Sequence, residues 1–173
     1  MKTSILSLIA FLAVATLAAP AYSDELELRV TDMKYTWGDS YNFPVTAYQI
    51  GYTKNYGQIG FRIMGGQSDE KVNSKGGNLT NKLEDFFVFS VHRNVKLSKN
   101  ITFQYGLNYT EYKGGSKGYK NSDTGFGNGF AFQYDINELL SIKASYDMYY
   151  SKAKPSLGQE VTSGTGLSLV ARF

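Results

Sequence analysis

Taken every second residue back from the end, the last stretch of the chain gives Phe173, Ala171, Leu169, Leu167 and Thr165. The residues between are Arg172, Val170, Ser168, Gly166 and Gly164. A period of two, with one face apolar and uncharged, predicts a β-strand and not a helix. The same alternation recurs along the chain. Leu26, Leu28 and Val30 oppose Glu25, Glu27 and Arg29, and Tyr48, Ile50 and Tyr52 oppose Ala47, Gln49 and Gly51. Ile59, Phe61 and Ile63 alternate with Gly60, Arg62 and Met64. Phe87, Phe89 and Val91 share their strand with Phe86, Val88, Ser90 and His92, the weakest alternation of the set. Ile101 to Tyr109, Phe130 to Tyr134 and Leu140 to Tyr150 complete a count of eight strands with Val161–Phe173.

Turn residues punctuate the pattern. Short connections are expected at Lys54–Gly57, Asn94–Asn100 and Asp135–Leu139, and a turn at Gly38–Ser40. Long polar loops are expected over Gly65–Lys82, Lys113–Thr124 and Ser151–Val161. Short and long connections in alternation predict an all-β, eight-stranded antiparallel up-and-down barrel with both termini at one end. Parity fails once. Asp32 and Lys34 fall on the apolar side of the first strand, and Met33, Tyr35 and Trp37 on the other. Either a bulge interrupts the strand near Thr31 and Asp32, or the strand has left an apolar environment by that point.

Alternation does not say which face meets solvent, since a soluble barrel alternates with its apolar face inward. Three features favour apolar-out, in lipid. Apart from the upper part of the first strand, the apolar faces carry no charge, as expected where Arg or Lys at mid-membrane costs ~2–4 kcal/mol. Tyrosines gather near strand ends, as interfacial girdles require (Tyr48, Tyr52, Tyr109, Tyr134, Tyr146, Tyr150). The opposite faces are rich in glycine and small polar residues, which suits a narrow interior. The aromatic content of 15%, with 14 Tyr and 11 Phe, agrees with strands.

The first residues read differently. Lys2 precedes an apolar run, Ile5–Leu17, of 13 residues, too short for a spanning helix of ~20 residues. Ala19-Pro20-Ala21 supplies a small-x-small cleavage pattern, with a second choice after Ser23. Residues 1–21 are therefore expected to be a cleaved signal peptide, and 24–173 the barrel domain. Cysteine is absent, which excludes disulfides and thiolate metal sites. The net charge of +3 is too small to argue for nucleic acid.

A strand that alternates to the last residue and ends on Phe173 resembles the closing strand of bacterial outer-membrane barrels. The whole mature chain resembles the small eight-stranded members of the OmpX, Ail and opacity-protein type. That resemblance implies an outer-membrane location in a Gram-negative cell and a monomer surrounded by membrane lipids and lipopolysaccharide. It also implies that Phe173 is part of an assembly signal read by the outer-membrane assembly machinery. It implies no particular activity.

The expected interior carries Glu25, Glu27, Arg29, Arg62, Lys143, Asp147 and Arg172. Buried charges must pair, so these are read as a structural polar network filling the lumen. The first and last strands meet when a barrel closes, and one of Glu25 or Glu27 is expected to pair with Arg172. His92 is the only histidine. A barrel lipase would need a serine, a histidine and an acid on the lipid side, whereas His92 has the lumen parity and no serine-containing motif around it. No catalytic, cofactor or metal site is expected, and GFGNG at Gly125–Gly129 lacks the lysine and helix of a phosphate loop. The Asn-x-Thr triplets at Asn78, Asn100 and Asn108 are read as chance matches.

The long loops hold Lys71, Lys75, Lys82, Lys113, Lys117, Lys120, Lys152 and Lys154 against Asp69, Glu70, Asp123 and Glu160, an excess of four positive charges. These loops are candidates for contact with lipopolysaccharide phosphates or with an acidic ligand on a host surface. The expected role is non-enzymatic: structural in the envelope, or interactive at the surface. A lipid-A-modifying barrel enzyme and a minor small-solute channel are the alternatives.

Overall fold

The computed structural model describes residues 24–37, 41–69, 71–73, 79–116, 119–151 and 160–173. The signal segment, both of its cleavage choices, the Gly38–Ser40 turn, Asn78 and four of the loop lysines (Lys75, Lys117, Lys152, Lys154) lie outside them. Nine strands run in order among the described residues: β1 Asp24–Trp37, β2 Tyr41–Tyr56, β3 Ile59–Ser68, β4 Lys71–Asn73, β5 Leu79–Lys96, β6 Ile101–Ser116, β7 Tyr119–Asp135, β8 Leu140–Ser151 and β9 Glu160–Arg172. Each long strand pairs antiparallel with its neighbours. β1 pairs with β9, and β3 pairs with β5. The result is a closed eight-stranded barrel with no free edge. β4 is a three-residue addition paired with the start of β5.

Inward and outward positions follow the sequence parity. Outward stand Leu28, Val30, Phe61, Phe89, Leu107, Phe126, Phe132, Ile142, Leu167 and Leu169, all exposed, with Leu107 72% accessible. A soluble domain does not leave a continuous apolar ring of this kind bare, and a lipid-facing belt accounts for it. Cross-strand rings tile the belt: Phe103 lies 5.0 Å from Phe132, and Phe130 5.6 Å from Tyr146.

Several local expectations need correction. The β2–β3 hairpin turns at Gly57–Gln58, later than the expected Lys54–Gly57, because Gly57 adopts φ 61° and so closes a two-residue loop that other residues resist. β1 contains no bulge. Its register with β2 and β9 is continuous to Trp37. Asp32 is therefore at the edge of the belt, where its carboxylate accepts a hydrogen bond from Thr46 at 3.3 Å. The polar stretches expected as loops are partly strand. β3 continues to Ser68, β5 starts at Leu79, and β6 and β7 pair out to Ser116 and Tyr119. An antiparallel ladder needs no apolar face once both of its sides meet water, so the hairpin extends beyond the belt.

Candidate functional site: a layered lumen

The interior is stacked in layers between a loop end and a turn end, the latter holding the short turns and Phe173. Toward the loop end lies an apolar layer of Met33, Val45, Ala47, Met64, Phe86, Val88 and Tyr149. Phe86 on β5 and Tyr149 on β8 meet edge to face at 5.9 Å. Two strands separate β5 from β8, so the contact spans the lumen. The expectation of a lumen rich in glycine and small polar residues does not hold in this layer. The near-uniform apolarity of Phe86–Phe89 marks a strand buried on one face in lipid and on the other in this layer.

Below it comes the charged layer. Arg29 donates to Asp147, and Lys143 to Glu27. Arg62 reaches from β3 to within 3.7 Å of Glu27 and 4.0 Å of Asp147, and donates to Ser90 at 3.2 Å. Asn108 donates to Asp147 at 2.9 Å, and Ser168 to Glu27 at 2.6 Å. Five ionic side chains from β1, β3 and β8 are thus held away from water, each with an opposite partner. Glycines make the room. A Cβ at Gly129 would stand 2.1 Å from Asp147 Oδ1, and one at Gly166 2.3 Å from Arg29 Nε.

Nearer the turn end, hydrogen bonds cross the lumen in a chain. Gln104 donates to Gln133 at 3.1 Å, Gln133 to Glu25 at 3.2 Å, and Arg172 to Glu25 at 3.1 Å. Glu25, and not Glu27, is thus the partner of Arg172. Arg172 also donates to Asp135 at 2.6 Å, where Lys96 (3.0 Å) and Ser141 (3.0 Å) donate too. At this water-facing mouth burial acts to raise the Asp135 carboxyl, yet the donors from Arg172, Lys96 and Ser141 outweigh it and hold the group below its ordinary range. Asp135, expected in a turn, stands at the end of β7 and joins the network. Its Ser141 and Lys96 partners become visible only once the hairpins are in register.

His92 lies inside, with both ring nitrogens buried and lacking a hydrogen-bond partner among the described residues. A cavity of about 20 Å³ beside it, bordered by Arg62, Gln104, Asn108 and Asp147, has room for one water. Among the described residues no serine hydroxyl is bonded to His92. Among the described residues no cluster of His, Asp and Glu could hold a metal. Of the loop lysines, Lys113 is exposed on β6, and Lys71, Lys82 and Lys120 belong to β4, β5 and β7.

A closed antiparallel eight-stranded barrel, apolar outside and packed with paired polar groups inside, is the architecture of the small transmembrane barrels of bacterial outer membranes. Solved structures of that kind superpose on it. Neisserial surface protein A (NspA) does so with a TM-score of 0.70 at 12% identity, covering 87% of this chain and 97% of that one. Ail, the attachment invasion locus protein of Yersinia pestis, gives 0.60 at 13% identity over 88% and 99%. It has also been solved with the heparin analogue sucrose octasulfate. The N-terminal β-barrel domain of Pseudomonas aeruginosa OprF gives 0.51 at 14% over 87% and 97%. At these identities the likeness is one of fold. No family model and no curated protein sequence matches the chain.

Proposed function

We propose that this protein is a monomeric, non-enzymatic barrel of the bacterial outer membrane that works at the cell surface, through basic outer loops that contact anionic groups of lipopolysaccharide or of a host polymer. It is exported on a cleaved signal peptide and inserted by the assembly machinery acting on the Phe173 strand. The observation that carries the reading is the blocked lumen, with the Phe86–Tyr149 layer above the Arg29–Asp147 and Lys143–Glu27 pairs. Transport of a solute would have to remove both layers, so the accessible chemistry lies at the ends. The lysine excess of the outer loops supplies a polyanion preference. Ail, a barrel of the same fold, was solved with a polysulfated sugar, which makes that ligand class a natural probe.

Reversing charge at Lys113, Lys117 and Lys120 to Glu should abolish retention on immobilised heparin and on lipopolysaccharide. Wild-type binding should itself weaken steeply with salt. Unchanged retention by the triple variant would reject the reading. An acyl chain lost from or added to lipid A in cells expressing the protein would point instead to the barrel enzyme.

A further inference from the structure

Below the Gln104–Gln133–Glu25 chain the barrel opens into a cavity of about 700 Å³ at the turn end, lined mostly by polar residue types. Pockets that take small ligands span roughly 300–1,000 Å³. Its floor is built, not incidental. Thr102, Gln104 and Gln133 are each at least nine-tenths buried, and the two glutamine amides are fixed by hydrogen bonds to one another and to Glu25. Asn94, donating to Asn55 at 2.9 Å, adds carboxamides on the β2–β5 side. Two acceptors on this wall, Glu25 Oε2 and Asn94 Oδ1, are buried and have no donor among the described residues. The charged groups of the lining balance, with Lys96, Lys99 and Arg172 against Glu25, Asp135 and Glu138.

We infer that this vestibule binds short zwitterionic peptides on the periplasmic side of the membrane, an inference that rests on the outer-membrane orientation proposed above. Carboxamides match peptide groups, because each offers one donor and one acceptor site to a backbone C=O and N–H. The free acceptor of Glu25 suits an ammonium terminus, and the Lys99 cation suits a carboxylate terminus. Among the described residues no aromatic ring lines the cavity. That removes the stacking face on which a sugar ring would rest, and the zero net charge gives a polyanion no advantage.

The test uses the protein purified from outer membranes into lipid nanodiscs and follows the side-chain amide resonances of Gln104, Gln133 and Asn94. The probes are triglycine, end-blocked N-acetyl-triglycine amide and the glycan chitotriose. Triglycine should give saturable shifts, with affinity at least about tenfold weaker for the end-blocked peptide, since each charged terminus loses a charge-assisted hydrogen bond. Thr102→Trp, which fills the floor, should remove the shifts while the barrel still resists SDS without boiling. Gln133→Met, a milder change, should weaken them. Absence of saturation with triglycine, equal affinity for the blocked peptide, binding of chitotriose in its place, or binding indifferent to both variants would overturn the inference.

Orientation is measured separately. The chain has no cysteine, so Gln58→Cys places a single thiol at the rim of the vestibule. An impermeant maleimide should leave it unmodified on intact cells. Modification there would overturn the orientation and the inference with it. Protection together with a failed titration would overturn the peptide site alone.

Discussion

The apolar and charged layers of the lumen occupy the same inward parity of the same strands, yet they are held by opposite means. Met33 and Arg29 are four residues apart on β1, and Tyr149 and Asp147 two apart on β8. The upper layer is filled by bulk. Large side chains from opposite walls touch, and loss of any one leaves a void. The lower layer is filled by matching. Its side chains are long and charged, and loss of one leaves a partner stranded in a dry interior. The contrast teaches that a narrow barrel can be closed by volume or by charge, and that the two closures respond to different perturbations.

The largest effect should come from stranding charge. Glu27→Leu leaves Lys143 without its acceptor and Arg62 without one of its two partners, and should cost ~3–5 kcal/mol of unfolding free energy in detergent or liposomes. Adding Lys143→Met should recover most of that, as replacement of a whole buried pair does. A double variant as unstable as the single one would show that the charged layer is also held by volume. Phe86→Ala should cost slightly less, ~3–4 kcal/mol, with no rescue by any charge change, because its loss is cavity formation. Gly129→Ala drives a methyl into the Asp147 carboxylate and should cost ~1–3 kcal/mol, with Asp147→Ala relieving the clash but exposing Arg29. The smallest effect belongs to the wet mouth. A double-mutant cycle on Glu25 and Arg172 should give a coupling of ~1 kcal/mol. Asp135 adds a pH signature there. Its carboxyl is held low in the folded state, so its contribution is full above the ordinary carboxylate range and fades as pH falls through the lowered value. Asp135→Asn should flatten that acid limb in a urea-unfolding series across pH.

The sequence pattern carried the barrel because a period of two is a one-dimensional signal, and every strand within the belt repeats it. It also carried the identity of the inward charges, since Glu25, Glu27, Arg29, Arg62, Lys143, Asp147 and Arg172 share one parity. It did not carry height. Parity says that Met33 and Arg29 face inward but not that one sits in an apolar layer and the other in an ionic one. That depends on strand tilt and on partners over a hundred residues away. Two signals for height were present. Asp32 and Lys34 on the outward parity mark where the lipid belt ends, and Phe86 and Val88 among outward phenylalanines mark an interior that is itself apolar. The β6–β7 extension was hidden for a different reason. KGGSKGYKNSDT has the composition of a loop, and a ladder standing in water on both faces leaves no hydrophobic periodicity to read.

Two buried ionic contacts, Arg29–Asp147 and Lys143–Glu27, join residues 118 and 116 positions apart, the first strand to the next-to-last. Both reach across β9, which lies between β1 and β8, so neither forms until these three strands are together. Until then Arg29, Glu27, Lys143 and Asp147 must keep their water. The network thus latches the seam of the ring, and contacts of such long sequence separation favour slow assembly. Parting the seam would rehydrate the charges it holds, which raises the barrier to unfolding as well as its equilibrium cost.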